Sequence, residues 1–365
     1  MAVYRWLAYD LRTNVAIAEL PLSVRQYGGM LNNPGSFEAQ IPLDVSTAAY
    51  VNAATTPERT IVFVERDGVI IPDSGYVIWR RVRSAGNSVS ISGVGLASLL
   101  RRNRVVSNLV YTSLDQLTIA RNLITHLQSQ AGGDFGIAVG SGTSGVTRDR
   151  TYNGYERKNI GDAIDELSAC FDGFDWAIDC AWSGSSPAKN LTLSYPRRGR
   201  IAGTTGVIFA VGKNILDYTF IEDGTRSARS VDIFGSGDGK DMKVSTATAT
   251  ALLDEGFPLT SETLAYKDIT VQGTIDSRVV AAMNARAKTP AFLELSVMPD
   301  DVDAGLGTWI VGDDAYVEIT DDNFPRNADG SPGYTAYFRI IGYSVNVPDS
   351  GPETVSVTLG PIAIA

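Results

Sequence analysis

The chain has 365 residues, with 31 Lys and Arg against 41 Asp and Glu, one His and two Cys. At about 100–200 residues per domain this is two or three domains, and a 44% apolar content can supply a core for each. A single imidazole, His126, removes most zinc-peptidase, triad and Cys–His chemistry, which needs one and usually several. The charge is unevenly placed: residues 1–200 carry 20 basic and 18 acidic side chains, residues 201–365 carry 11 and 23. The net −10 therefore belongs to the second half, which argues against a binder that neutralises nucleic-acid phosphates. The cations are 24 Arg and only 7 Lys, a bias expected of a GC-rich host. Cys170 and Cys180 are too few for a disulfide framework and are expected as buried or free thiols. No basic stretch followed by an apolar run opens the chain, and no run approaches the ~18 apolar residues of a membrane span. The expectation is a protein made in the cytoplasm, with no membrane-spanning segment.

Residues 1–104 read as an N-terminal antiparallel β-barrel. Tyr4–Tyr9 and Val15–Leu20 flank the polar turn Asp10–Asn14, and Asn32-Asn33-Pro34-Gly35 is a turn signal ahead of the alternating strand Ser36–Leu43. Thr60–Arg66 meets Val69–Ile71 across Asp67-Gly68, the strongest short-range hairpin signal. Strands at 76–79 and 88–92 complete the set. Residues 105–200 change period and read as an α+β middle domain. Ser113 with Gln116 forms a candidate capping box, and Leu117, Ala120, Ile124 and Leu127 recur at helical spacing up to Gly132-Gly133. A second helix starts near Asn159 with Ile160, Ala163, Ile164, Leu167 and Phe171 on one face, and a strand follows at 174–178. Residues 201–365 return to strands at 207–211, 215–222, 228–234, 291–298, 308–319, 334–347 and 353–359, a second β-barrel. An inserted excursion near 236–290 holds one helix at 277–287, with Val279, Ala282 and Met283 inward.

No segment carries a strong catalytic or metal-binding pattern. Gly140-Ser-Gly-Thr-Ser-Gly145 matches G-x-G-x-x-G but opens no helix to cradle a pyrophosphate, so it reads as a flexible loop. Phe234–Asp241 lacks the first Gly and the final Ser/Thr of a phosphate loop. Asp300-Asp301-Val302-Asp303, Asp313-Asp314 and Asp321-Asp322 lack the spacing that wraps Ca²⁺ and read as solvated turns. Glu156, Asp162, Asp165 and Glu166 offer carboxylate pairs for acid–base work, but Asp162, Asp165 and Glu166 suit the first turn and polar face of a helix better. The basic clusters at Arg80–Arg83, Arg101–Arg104 and Pro196-Arg-Arg-Gly-Arg200 are expected to be protein contacts or solvated faces. No catalytic, cofactor-binding or metal-ligating residue is assigned, and no cofactor is expected.

Several blocks carry a resemblance. Leu7-Ala-Tyr-Asp-Leu-Arg-Thr-Asn14, Ala18–Leu22 and Leu31-Asn-Asn-Pro-Gly-Ser-Phe-Glu-Ala-Gln-Ile-Pro-Leu43 are followed in order by Ile91–Arg102, Gly173–Ile178 and Leu193–Arg200. Gly212–Ile215 and Gly351–Gly360 close the series. Together they resemble the minor tail proteins of long-tailed phages of actinobacteria, which are similar to the baseplate hub of T-even phages. The resemblance implies a mainly β fold, two antiparallel β-barrels embracing an α+β segment, assembled as a homotrimer. It implies a structural part of the virion tail tip, synthesised in the host cytoplasm. Its partners would be the distal tail protein or tail tube ring, other tail-tip proteins, tape measure protein, and DNA in transit without specific binding. Many relatives carry a C-terminal cell-wall hydrolase domain; with the last strand close to Ile362–Ala365 and a single His, none is expected here. The alternatives are a receptor- or carbohydrate-binding tail module using the five Trp and fifteen Tyr, or a tail-associated hydrolase.

Overall fold

The computed structural model describes residues 2–266, 269 and 271–362. It is 42% strand and 17% helix, mainly β with antiparallel sheets, as the sequence predicts. The first part comprises β1 (Tyr4–Asp10), β2 (Ala16–Glu19), β3 (Ser23–Met30), β4 (Asn33–Pro42), β5 (Thr60–Arg66), β6 (Val69–Ile70), β7 (Tyr76–Arg83) and β8 (Ser88–Gly95). Asp67 and Gly68 both take positive φ, 52° and 84°, and the expected β5–β6 hairpin forms across them. β3 has no clear signal in the sequence because Gly28 and Gly29 weaken its strand pattern. Packing requires a glycine there: a Cβ on Gly28 would lie 2.2 Å from the Tyr343 carbonyl oxygen, and one on Gly35 would lie 1.9 Å from the Gly28 oxygen. The turn also moves, to Leu31-Asn32, with Asn32 at φ 54° and Pro34-Gly35 inside β4. Helix α1 (Val45–Ala54) carries no amphipathic pattern and is missed from sequence. It is started by a reciprocal cap, Thr47 N–H to Asp44 and Asp44 N–H to the Thr47 hydroxyl, both 2.8 Å.

After the one-turn α2 (Ala97–Leu100), the middle part contains β9 (Leu109–Asp115), α3 (Gln116–Gln128), β10 (Ile137–Ala138), β11 (Thr147–Tyr152), α4 (Ile160–Ser168), β12 (Asp175–Ser183) and β13 (Ser186–Ser194). Ser113 is not the cap of α3; it sits in β9 at φ 46°, and Asp115 accepts from Leu117 N–H and Thr118 N–H instead. Asn159 caps α4 as expected, but that helix ends at Ser168, which leaves Phe171 exposed rather than on the buried face. Leu117, Ile124, Ile160 and Ile164 pack with Trp176 onto Leu7, Tyr9, Ile61 and Phe63. The alternate residues of the same two strands, Trp6, Ala8, Val62 and Val64, face a different core. β1 and β5 are thus buried on both sides, which is why they read as near-continuous apolar runs.

The remaining strands are β14 (Ile208–Ala210), β15 (Ile215–Glu222), β16 (Ser230–Phe234), β17 (Val244–Thr248), β18 (Ser261–Ala265), β19 (Ala291–Val297), β20 (Asp314–Ile319), β21 (Tyr334–Val347) and β22 (Thr354–Pro361). Between β17 and β18 lies α5 (Thr250–Asp254), and α6 (Gln272–Arg286) follows β18. β16 lies outside the second barrel to which its sequence position assigns it: it pairs only with β17 and β18, around Val231, Ile233, Ile275, Val279 and Met283. The other strands of the first and last parts, apart from β17 and β18, join one 14-stranded ladder whose main path is β15-β19-β22-β21-β3-β4-β8-β7-β5-β1-β2, while β9 and β11, and β10, β12 and β13, form two small separate sheets. The antiparallel pairing of β3 with β21, from Arg25↔Val347 to Met30↔Gly342, stitches the first part to the last. One apolar cluster runs beneath both, from Tyr27, Phe37 and Tyr76 to Phe209, Leu295 and Val357.

Candidate functional site: a polar face across the central sheet

Alternation along the central strands puts the apolar side chains on one face and leaves the other to solvent. That second face is continuous in register. Thr219 of β15 pairs with Glu294 of β19, which pairs with Thr358 of β22; Ser296 pairs with Ser356, and Ser356 with Ser344 of β21. Asn346 then pairs with Gln26 across the β21–β3 join, Gln26 with Glu38 of β4, and Glu38 with Ser92 of β8. The result is a hydroxyl- and amide-rich surface seven strands wide, roughly 30 Å at ~4.8 Å per strand. Its charged groups are few: Asp217, Glu38 and Glu294 are exposed on it, with Arg80 at its β7 margin. Val24, Val82 and Ile221 add apolar side chains to it, and the slight acidic excess gives it little hold on a polyanion.

A buried ionic junction lies at the end of the β21–β3 join. Arg198, 5% exposed, donates through Nη1 and Nη2 to the two oxygens of Asp179 at 2.8 Å each and through Nε to the Val311 carbonyl at 3.0 Å. Asp73 lies 3.6 Å from the same guanidinium, and burial pushes its carboxyl up to about 6 despite Arg198. Asp175 accepts from Arg198 N–H (2.7 Å), from Asn32 (2.9 Å) and from Arg339. Asn32 belongs to the first part, Asp175 to the middle and Arg339 to the last, so one carboxylate ties all three. Arg200 and Arg197 complete the lattice on the buried Asp313 and Asp314. Gly199 has to be glycine: its φ is 89°, and a Cβ would lie 2.2 Å from the Gly312 backbone. A second junction joins Arg66 to Glu353 and Asp300, with the Tyr4 hydroxyl on Glu353 and 3.0 Å from that of Tyr27. Burial raises both phenol pKa values far above their ordinary range.

These contacts reassign most of the sequence candidates. Of the Arg197–Arg200 cluster, expected at a surface, Arg198 is buried, Arg197 is half-buried and Arg200 is exposed but ion-paired. Of the acidic clusters, Asp313 and Asp314 are buried, while Asp300–Asp303 and Asp321–Asp322 lie in exposed turns as expected. Asp313 and Asp314 hold those arginines, Asp301 accepts from Asp303 N–H, Ala304 N–H and Asn214, and Asp321 accepts from Asn323 N–H and Phe324 N–H. Among the described residues no group of His, Cys, Asp and Glu is placed to hold a metal ion. Asp165 pairs with Arg101 and Trp176, and Glu166 with Lys158. The Gly140–Gly145 loop is anchored rather than free: Ser144 N–H and Gly145 N–H donate to Asp115 at 2.8 and 2.9 Å, so an internal carboxylate takes the amides an anion would need. His126 accepts from Val106 N–H at 3.1 Å, and burial lowers its pKa. Trp6, Trp176 and Trp309 are buried, Trp79 is half-buried with Arg102 over its ring, and Trp182 is half-buried with its edge N–H donating to Glu65.

No family model matches the sequence, and no curated protein matches it significantly. Solved structures do. A prophage tail protein of Listeria monocytogenes superposes with a TM-score of 0.59 at 12% identity, covering 99% of this chain and 95% of that one. The 43 kDa tail protein of prophage MuSo2 from Shewanella oneidensis gives 0.64 at 9% identity, with 98% of each chain covered. The fold is one that phage tail proteins share. A chain of the Francisella PdpA–VgrG complex also matches, with a TM-score of 0.56 at 6% identity, over 99% of this chain and 53% of that one. No helix among the described residues is long and apolar enough to cross a membrane.

Proposed function

We propose that this chain is a structural component of a bacteriophage tail tip, without enzymatic activity: a homotrimeric hub of a siphophage of actinobacteria. In this reading residues 1–104 and 201–365 are two related barrel units, with 105–200 between them. Three copies supply six such units, so that a threefold tip docks on the sixfold tail tube or distal tail ring and on other tail-tip proteins. The polar face lines the central channel, which holds tape measure protein before infection and passes DNA during ejection.

The observation that carries this reading is the polar face running without interruption across the β3–β21 join. A channel wall for an unsequenced polyanion has to be wide, wettable and free of cation clusters, because each Lys or Arg near a phosphate adds salt-dependent affinity and slows passage. Hydroxyls, amides and three carboxylates against one marginal Arg meet that requirement. The fold likeness to phage tail proteins supplies the setting. Electron cryo-microscopy of the virion tests it. Threefold density for this chain on the tail axis, with Ser344 and Asn346 toward the lumen, is the expected result. Placement off the axis, or with that face turned outward, overturns the proposal.

A further inference from the structure

The segment from Ala228 to Ala287 has its own core, and Arg229 stands at its root, 4% exposed. Its backbone is fully used: the N–H donates to Thr260 at 2.8 Å, and the carbonyl accepts from Ala249 at 2.9 Å. Phe257 covers the guanidinium, with its ring centre 4.9 Å from Cζ. Nε and Nη1 are sealed from solvent and have no hydrogen-bond partner. Arg198, the other arginine so deeply buried among the described residues, has both terminal nitrogens on a carboxylate. A buried guanidinium without an acceptor is costly, and an anion beside it relieves that cost.

A cavity of about 500 Å³ adjoins Arg229. Leu252, Phe257 and Ala287 give it apolar wall; Glu222, Glu255 and Lys288 also line it, and neither glutamate pairs with Arg229. Two cations and two carboxylates cancel, so the pull on an anion comes from Arg229 alone, and a phosphate dianion meets twice the repulsion from the glutamates that a single negative charge does. The apolar wall suits an organic body better than a hydrated inorganic ion. We propose that this cavity binds a monocarboxylate carried on an apolar body, the carboxylate pairing with Arg229 through Nη2, the guanidinium nitrogen that is not sealed, and the body lying on Leu252, Phe257 and Ala287. The carboxylate belongs either to a free organic acid or to a Glu or Asp of another polypeptide. The site is independent of the tail reading.

Calorimetric titration of the full chain with 3-phenylpropionate, 3-phenylpropionamide, inorganic phosphate and a peptide bearing Glu between Leu and Phe tests it. The acid or the peptide should bind, the amide and phosphate should not, and Arg229→Gln should weaken binding about tenfold or more. Arg229→Gln should also leave the melting temperature equal or higher, because it removes an unpaired buried charge. Ala287→Trp obstructs the apolar wall while leaving Arg229 in the chain and should weaken binding in a folded protein. A peptide that binds tighter than the acid assigns the site to a polypeptide partner; equal or weaker binding assigns it to a small acid, and either upholds the site. Binding of the amide as tight as the acid, preference for phosphate, binding unaffected by both variants, or no binding by acid and peptide overturns it.

Discussion

Arg198→Met is expected to destabilise the protein by about 3 kcal/mol, a large share of the ~5–15 kcal/mol that holds a typical domain folded. The side chain makes two 2.8 Å bonds to Asp179, one of 3.0 Å to Val311 and a 3.6 Å contact with Asp73. Its loss leaves a carboxylate pair and a buried carbonyl unpaired, and breaking such pairs costs about 3–5 kcal/mol. The low end applies because Asp179 keeps the Thr192 hydroxyl at 2.6 Å and is 21% exposed. Urea unfolding reads this as a lower midpoint at unchanged slope. Asp179→Asn combined with Arg198→Met should cost less than the sum of the two single changes by roughly 1 kcal/mol or more, since the second removes what the first stranded. A loss below about 1 kcal/mol for Arg198→Met, or full additivity in the double variant, would refute the view that this arginine clamps the three parts together.

Asp73 titrates near 6 when folded against 3.8 for a free carboxyl, so the folded state holds the extra proton between those values. Its contribution is fully present below about pH 4 and is lost as pH rises through 6, on the order of 2–3 kcal/mol in all. Asp73→Asn should flatten that part of the stability profile relative to the parent, measured by urea midpoints at pH 4, 5, 6 and 7; parallel profiles count against it. Asp115→Ala should cost about 1–2 kcal/mol through the lost α3 cap and should also free the Gly140–Gly145 loop, seen as faster proteolysis there. Asp115→Asn can keep the cap through Oδ1 but turns an NH2 toward the Ser144 and Gly145 amides, so it should spare α3 and still free the loop. Gly28→Ala drives a Cβ to 2.2 Å from Tyr343 and should sacrifice the β3–β21 pairing, read as early hydrogen exchange at residues 25–30. Gln26→Lys with Asn346→Lys and Ser356→Lys, all exposed, should each change stability by under about 0.5 kcal/mol, yet slow DNA ejection from reconstituted virions. Unchanged ejection kinetics would remove the face from the channel.

The sequence by itself determined the local elements that rest on local physics. Asp67-Gly68 dictated its hairpin through positive φ, Asn159 its helix start, and the runs around Trp6 and Val62 their strands. The ordered blocks from Leu7 to Gly360 pointed to phage tail proteins, whose fold this chain shares. What the sequence hid was long-range. Gly28 and Gly29 look like strand breakers until β21 is seen passing 2.2 Å from where a side chain would stand. Ser113 reads as the cap on spacing alone, whereas Asp115 is the cap, and the Ser144 and Gly145 amides that hold it in place lie about thirty residues along the chain. Arg197, Arg198 and Arg200 look solvated because their carboxylate partners include Asp313 and Asp314, more than a hundred residues away. The polar face has the same origin. Its serines, threonines and glutamines are ordinary outward positions in each strand, and only the pairing of β3 with β21 makes them one surface.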